Sequence, residues 1–541
     1  MKSTVPFIFA KNFKPNALVL HNDWNRATNI LLNYIEKITD TRLTITEVYD
    51  VRPFIIFDKV DHGKSGFAYY MDNKDIRFEA GNEQAAVYAV YDFLERIVGC
   101  RYYTKNEEYI PRDCNLSVMF EYYKFNPILE YREVYYKGFN DKEFAEKHKM
   151  TAMSDHKDWG FWCHSFETLI PTSEYYDEHP EYFAYVNGKR IKEHTQPCLT
   201  NPKVFDIVVE NLRKHIEKKP DATYWSVSSN DSGYHCLCDE CLKLDNMAEA
   251  PMGSLLTFVN KVAEQFPDKI ISTLAYQYST KAPKNIKPRD NVHIMMCNIE
   301  ANRGKPFGIC TEPGTVNNRN DLLSWKEICN NLFLWDYCIQ FHNLVSPFPN
   351  LRVIGPNIRY FVENNVRSLF SQCNREYGGE FSDLRGYLLA KMMWDPYCDE
   401  NEVIEDFVKG YYKQAAPYIL EYINTMHDAL DNSGGILKIF GGPEDAKDTY
   451  LTEDLFYKYC ELFDKAQEIV YDDKEALFRV KTARLPLYYA GICLKYGTKE
   501  FRKEMIANFA SQARKTGLIM VEEWSITVDQ FVADQMAELA D

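Results

Sequence analysis

Residues 201–231 read NPKVFDIVVENLRKHIEKKPDATYWSVSSND, and this stretch decides the fold class. Asn201 predicts an N-cap and Pro202 the first helical position, where proline's missing N–H costs nothing. Phe205, Val208, Val209, Leu212 and Ile216 recur at intervals of three and four, which gives the helix one apolar face. The basic run at 213–219 falls at the helix end, where cations complement the backbone dipole. Pro220 stops the helix, and ATYWSVSS (222–229) reads as a strand ending at Asn230–Asp231. A helix that leads directly into a buried strand is the repeating unit of a parallel α/β sheet.

The same unit recurs on both sides of this stretch. Upstream, ILEYREVYY (128–136) reads as the first strand. Downstream, a helix near Ser254–Phe266 leads into KIISTLAYQYS (269–279), and NVHIMMC (291–297) ends at Asn298–Glu300. NDLLSWKEICNN (320–331) leads into LFLWDYC (332–338), and NLRVIGPNIRYFVENN (350–365) into VRSLFSQ (366–372). A span of roughly 280 residues, 121–400, suits a closed (β/α)8 TIM-type barrel. A doubly wound open sheet is the rival, but no glycine-rich phosphate loop follows any strand.

Residues 1–120 predict a smaller α/β unit. Its strands are Ala17–Leu20 and Pro53–Asp58, its helices Asn25–Ile38 and Asn82–Ile97, and FAYYMDNKDIRFEAG (67–81) forms a hairpin. Residues 401–541 predict a helical domain, with helices over Glu402–Ala415, Leu455–Val470 and Ala476–Tyr496. No chemistry is expected from that last domain.

Composition narrows the function classes. With 63 basic against 79 acidic residues, the net charge is −16 and no basic stripe exists to follow a phosphate backbone, which argues against nucleic acid. No run approaches the ~20 apolar residues of a membrane span. MKSTVPFIFAK at the start is too short for a secretory leader, so the expectation is either a cytoplasmic protein or one whose signal was removed. Aromatics reach 15%, which favours a ligand with flat C–H faces and hydroxyl edges, such as a sugar. The 15 cysteines are scattered through strands and helices as in IMMC, WDYC and YAGIC, a pattern of buried thiols more than of a disulfide framework.

In a barrel the strand ends build the active site. Those ends supply Arg132, then Asn230 and Asp231, then Tyr276 and Tyr278, then Asn298 and Glu300, then Trp335, Asp336 and Tyr337, and finally Gln372, Asn374 and Glu376. Asp231, Glu300, Asp336 and Glu376 are the carboxyls available for glycoside hydrolysis, which uses an acid and a second group at the anomeric carbon. Glu376, beside Arg375, reads first as an ion pair. His164 sits in a loop with Trp159 and Trp162 close by and is equally suited to core packing or substrate contact. HCLCDEC brings Cys236, Cys238 and Cys241 to CxCxxC spacing, with Cys198 upstream. Such thiolates can bind zinc. With no second CxxC or HxxxH pair, a buried loop of free thiols is the favoured reading, and a structural zinc at Cys236, Cys238 and Cys241 is the alternative.

HSFETLIP (164–171), EYYDEHPEYFAYVNGKR (174–190), QPCLTNPKVF (196–205), SVSSNDSGYHCLCDEC (226–241), LAYQYS (274–279) and LLAKMMWDP (388–396) occur here in that order. Together they resemble the domain of unknown function 4838 family, part of which is classified as glycoside hydrolase family 163, endo-β-N-acetylglucosaminidases acting on complex N-glycans. The N-terminal unit resembles the small domain that precedes the barrel in hexosaminidases and α-glucuronidases. The resemblance implies a substrate-assisted retaining mechanism without a required cofactor, on an oligosaccharide or glycoprotein glycan. In it Asp231 would be the general acid, Asn230 would orient the acetamide, and Tyr276 or Tyr337 would steady the oxazolinium-like intermediate. Arg132 resembles the barrel arginine that holds sugar hydroxyls, and Trp335 and Glu376 would complete the substrate contacts. The alternatives are a two-carboxylate glycosidase of α-glucuronidase type, using Glu300 or Asp336 beside Asp231, and a glycan-binding protein without turnover.

Overall fold

The computed structural model describes residues 5–152, 156–374 and 377–540. The chain begins with a six-stranded sheet built from β1 (Leu18–Leu20), β2 (Thr44–Thr46), β3 (Phe54–Lys59), β4 (Phe67–Asp72), β5 (Asp75–Ala80) and β6 (Tyr123–Phe125), in spatial order β6-β4-β5-β3-β1-β2. The β4–β5 hairpin turns at Asn73, whose φ of 55° is the left-handed conformation that asparagine tolerates. Helices α1 (Asn25–Thr39) and α2 (Glu83–Phe93) pack on this sheet, and the chain leaves α2 through one π-turn capped by Gly99 at φ 92°.

A seven-stranded, wholly parallel sheet follows. Its strands are β7 (Tyr131–Val134), β8 (Trp159–Phe161), β9 (Tyr224–Ser226), β10 (Ile270–Ala275), β11 (Val292–Cys297), β12 (Leu332–Tyr337) and β13 (Val366–Gln372). The spatial order is β7-β13-β12-β11-β10-β9-β8, the order of a barrel in which the first strand has come round to the last. Between them lie α3 (Lys142–Lys147), α4 (Pro202–Lys218), α5 (Asp239–Met247), α6 (Met252–Gln265), α7 (Pro313–Lys326) and α8 (Leu351–Glu363), and α9 (Ser382–Trp394) follows the last strand. In α4, the Asn201 side chain accepts from the Lys203 amide, with Pro202 at the first helical position.

Two departures from the expected barrel have physical causes. The described residues form seven strands rather than eight, and no backbone ladder joins β7 to β8, so the sheet curls without closing. Side chains bridge the seam instead: Tyr131 meets Trp159 with ring centroids 6.1 Å apart, and the His156 ring bonds Glu133 at 3.0 Å. Strand β8 also carries no strand signal in the sequence, because it lacks alternation. Trp159 pairs with Tyr224 and Phe161 with Trp225, so Gly160 is an extra residue bulging out of register. A Cβ at Gly160 would stand 2.3 Å from the Trp225 ring, which explains the glycine.

The C-terminal helices are α10 (Glu400–Tyr412), α11 (Ala416–Ser433), α12 (Glu453–Ile469), α13 (Lys474–Ala483), α14 (Leu485–Cys493), α15 (Lys499–Thr516) and α16 (Val528–Ala540). The single helix expected over 476–496 is two, divided at Arg484 ahead of Pro486, which cannot donate into a continuing helix. One apolar core runs through all three regions, from Phe7 to Leu539. Phe67 of the first sheet stacks on Trp394 of α9, and Arg101 pairs with Asp406 of α10 at 3.0 Å. Among the described residues no helix is long and apolar enough to cross a membrane.

Candidate active site

Strand parity decides what faces the interior of the curled sheet. In a parallel ladder, paired residues point to the same face and successive residues to opposite faces. Glu133 pairs with Phe370, Phe370 with Trp335, and Trp335 with Cys297. All four line one cavity of about 540 Å³ at the C-terminal ends of the strands, together with Tyr135, Trp162, Leu274, Tyr276, Tyr337 and Gln372. Below it, Tyr131, Trp159, Trp162 and Phe333 fill the sheet interior with ring-to-ring contacts.

The polar groups of this cavity have defined partners. Asp231, on the loop after β9, accepts a hydrogen bond from the Gln277 amide at 3.3 Å. Burial, reinforced by the Asp231 charge, pushes the Tyr276 hydroxyl up to about 12, so it stays a donor throughout the neutral range. The His164 Nδ1 lies 2.7 Å from the Ser229 carbonyl, an obligate acceptor, so Nδ1 carries a proton and donates, and Nε2 is not engaged in that bond. The Trp335 indole N–H donates to the Gln372 side-chain oxygen at 2.8 Å, which leaves the Gln372 NH2 to donate elsewhere. Glu133 is fully buried and held by the Tyr131 hydroxyl and His156, whose ring stacks on Trp162.

Asp231, His164, Tyr276, Trp335 and Tyr337 therefore share one cavity. Arg132, Asn230, Asp336 and Glu300 lie elsewhere. Arg132 has the opposite parity to Glu133. It is buried behind the strand, donates to the Leu129 and Lys149 carbonyls, and lies over the Trp394 ring. The Asn230 side chain accepts from the Glu167 amide at 2.9 Å and donates to the Thr195 carbonyl at 3.0 Å, so both ends of its amide are spent on loop structure. Asp336, between the inward Trp335 and Tyr337, points outward to accept from Asn298 at 2.6 Å with Arg303 at 3.8 Å. Glu300 is exposed and outside the cavity lining. Glu376 lies outside the described residues.

The Glu133–His156 pair was missed because Arg132, its neighbour, was read as the inward residue. The C-terminal region also contributes, which the sequence reading did not anticipate. Ile439, Phe440, Glu523 and Trp524, from loops between helices, form part of the cavity wall. The Glu523 amide bonds the Phe341 carbonyl at 2.9 Å and the Phe341 amide bonds the Ile439 carbonyl at 2.8 Å, which ties that wall to the loop after β12.

Across solved structures the chain is similar to a GH138 enzyme targeting pectin rhamnogalacturonan II, with a TM-score of 0.47 and 9% identity over 97% of this chain and 98% of that one. It is also similar to the GH20 β-N-acetylhexosaminidase from Streptomyces coelicolor A3(2), with a TM-score of 0.44 and 10% identity over 76% and 94%. A third likeness is to the GH20 exo-β-N-acetylglucosaminidase from Vibrio harveyi, with a TM-score of 0.43 and 10% identity over 76% and 75%. Comparison with curated proteins gives no match. The model of the domain of unknown function DUF4838 matches residues 102–424, more than half of the chain and the whole of the curled sheet that carries the cavity, and the chain belongs to that family.

Proposed function

We propose that this protein is a glycoside hydrolase, and that it acts as an endo-β-N-acetylglucosaminidase on N-glycans. The observation that carries the reading is the cavity itself. An acid, hydroxyl and imidazole donors and acceptors, and a wall of indole and phenol rings converge on one concave site at the strand ends. Aromatic faces suit the C–H faces of pyranose rings, and the few polar groups suit hydroxyls and an acetamide. The N-glycan assignment draws on the ordered motifs of residues 164–241 and their resemblance to glycoside hydrolase family 163.

In the proposed mechanism Asp231 protonates the leaving glycosidic oxygen, and the substrate's own acetamide oxygen attacks the anomeric carbon. Tyr276 and Tyr337, with the Gln372 NH2, are the donors that would hold the acetamide and the oxazolinium-like intermediate. Asn230 takes no part, since its amide is committed to the backbone. A second reading uses two protein carboxylates. It is favoured by Glu133 and Glu523 sharing the cavity with Asp231, a position that neither Glu300 nor Asp336 holds.

The test is incubation of the full chain with a panel of intact N-glycoproteins, with released glycans separated by mass. Release by the wild type, lost in Asp231→Ala, supports the proposal. Undiminished release by that variant removes Asp231 from the mechanism, and no release from any glycoprotein overturns the substrate assignment. A matched substrate lacking the acetamido group separates the two mechanisms: substrate assistance leaves it intact, whereas two carboxylates cleave it.

A further inference from the structure

Four cysteines that no part of this mechanism uses come together at one point. Cys198 precedes α4, and Cys236, Cys238 and Cys241 form the CxCxxC run that opens α5, yet all four sulfur atoms lie within 4.8 Å of one another. The Cys198 and Cys238 sulfurs are 3.7 Å apart. A tetrahedral zinc with Zn–S bonds of about 2.3 Å holds its sulfurs about 3.8 Å apart. We propose that Cys198, Cys236, Cys238 and Cys241 are the four ligands of a structural zinc ion.

Three further observations support the site. First, the set is all sulfur, the soft ligand chemistry that selects zinc over calcium or magnesium. Second, donors already surround the sulfurs. The Tyr185 amide and the Arg190 guanidinium point at Cys236 at 3.4 and 3.5 Å, and the Thr200 hydroxyl lies 3.2 Å from Cys241. N–H and O–H groups of this kind orient thiolates and offset the negative charge of a four-thiolate centre. Third, the lobe has almost no core of its own. The hairpin of Tyr185–Val186 and Lys189–Arg190 is covered by a separate small cluster of Ala184, Val186, Cys198, Cys236 and Cys241, with Ile191 and Cys238 at its edge. So small an apolar cluster needs a staple, and a metal supplies one.

The site also lies next to the candidate acid. Gln196, two residues before Cys198, accepts from the Asn230 amide at 2.9 Å and donates to the Asn230 and Ser232 carbonyls at 2.8 and 3.1 Å. The Ser232 hydroxyl bonds the His194 carbonyl. The same two segments that would share the zinc thus hold the loop on either side of Asp231, and the ion would act as a positioning element for that loop. His235, adjacent in sequence, stays out of the cluster and stacks on Tyr278 at 4.5 Å.

The decisive experiment measures zinc in the full chain, purified under reducing conditions and reconstituted with zinc chloride. Elemental analysis should find one zinc per chain, and removal by a strong chelator should lower the thermal midpoint by several degrees, reversed by zinc but not by magnesium. Chelation should also expose four additional thiols to a thiol reagent and speed hydrogen exchange over residues 228–234. Cys198→Ser and Cys238→Ser should each abolish stoichiometric zinc. Should those variants fail to fold, the wild-type metal content and thiol count still decide. A zinc-free reconstituted protein, or disulfides among these four cysteines in the folded chain, would overturn the proposal.

Discussion

Asn230 and Asp231 are consecutive, yet the backbone turns one amide into the loop and the other side chain into the cavity. Their variants should therefore fail in different ways. Asp231→Asn keeps the shape and removes the proton donor, so turnover should fall by about 100- to 10,000-fold while the thermal midpoint stays within a degree or so of wild type. Asn230→Ala removes an exposed bond from the Glu167 amide and a half-buried one to the Thr195 carbonyl, a loss of roughly 0.5–1.5 kcal/mol each, so the thermal midpoint should drop measurably. Equal midpoints for the two variants would contradict this division of labour. Tyr276→Phe removes a hydroxyl that remains protonated to about 12. Its loss should lower kcat across the neutral range without adding a new inflection to the pH profile.

At the scale of the element, alternation governs what was legible in the sequence. The parallel α/β class, helix α4 with its cap, and five of the later strands follow from periodicity and punctuation alone. What could not be read was the face on which each strand-end residue stands. Arg132 and Glu133 are equally polar on paper, and Asp336 ends its strand between two aromatic candidates, so only the ladder register assigns Glu133 inward and Asp336 outward. The eighth strand was expected from the arithmetic of barrels, and β8 was overlooked because its bulge at Gly160 destroys the two-residue period. Gly160→Ala tests the bulge. Its methyl group would meet the buried Trp225 ring, and overpacking of this kind costs about 1–3 kcal/mol, so a lowered denaturant midpoint with unchanged slope is expected.

At the scale of the molecule, the three regions share one core, and two consequences can be measured. His427, buried in α11, donates from Nδ1 to the Ile423 carbonyl and accepts the Leu351 amide at Nε2, 3.0 Å away, which locks the neutral ring between α11 and α8. Burial lowers its pKa from the usual 6.5 to about 4. The folded value lies below the unfolded one, so the unfolded chain binds the extra proton between these limits. This contribution to stability is therefore complete above pH 6.5 and is lost as the pH falls towards 4, at up to about 1.4 kcal/mol per pH unit. Unfolding midpoints between pH 7 and 4 should show that slope, and His427→Gln should flatten it. Trp524, reaching the cavity from the last part of the chain, tests the shared wall: Trp524→Ala should raise KM about 5- to 10-fold with kcat little changed, the expected loss of a ring face.

That shared wall has a further consequence in time. Glu133 and Trp524 bound one pocket but stand far apart in the order of translation. A ribosome adding about 5–20 residues per second emits the second roughly 20–80 seconds after the first. Once synthesis has passed Phe370, the nascent chain carries an open, half-walled cup of tryptophan and phenylalanine until Trp524 follows. Any chaperone that attends this protein on the ribosome would find its client surface there, and would lose it when the loop bearing Trp524 docks.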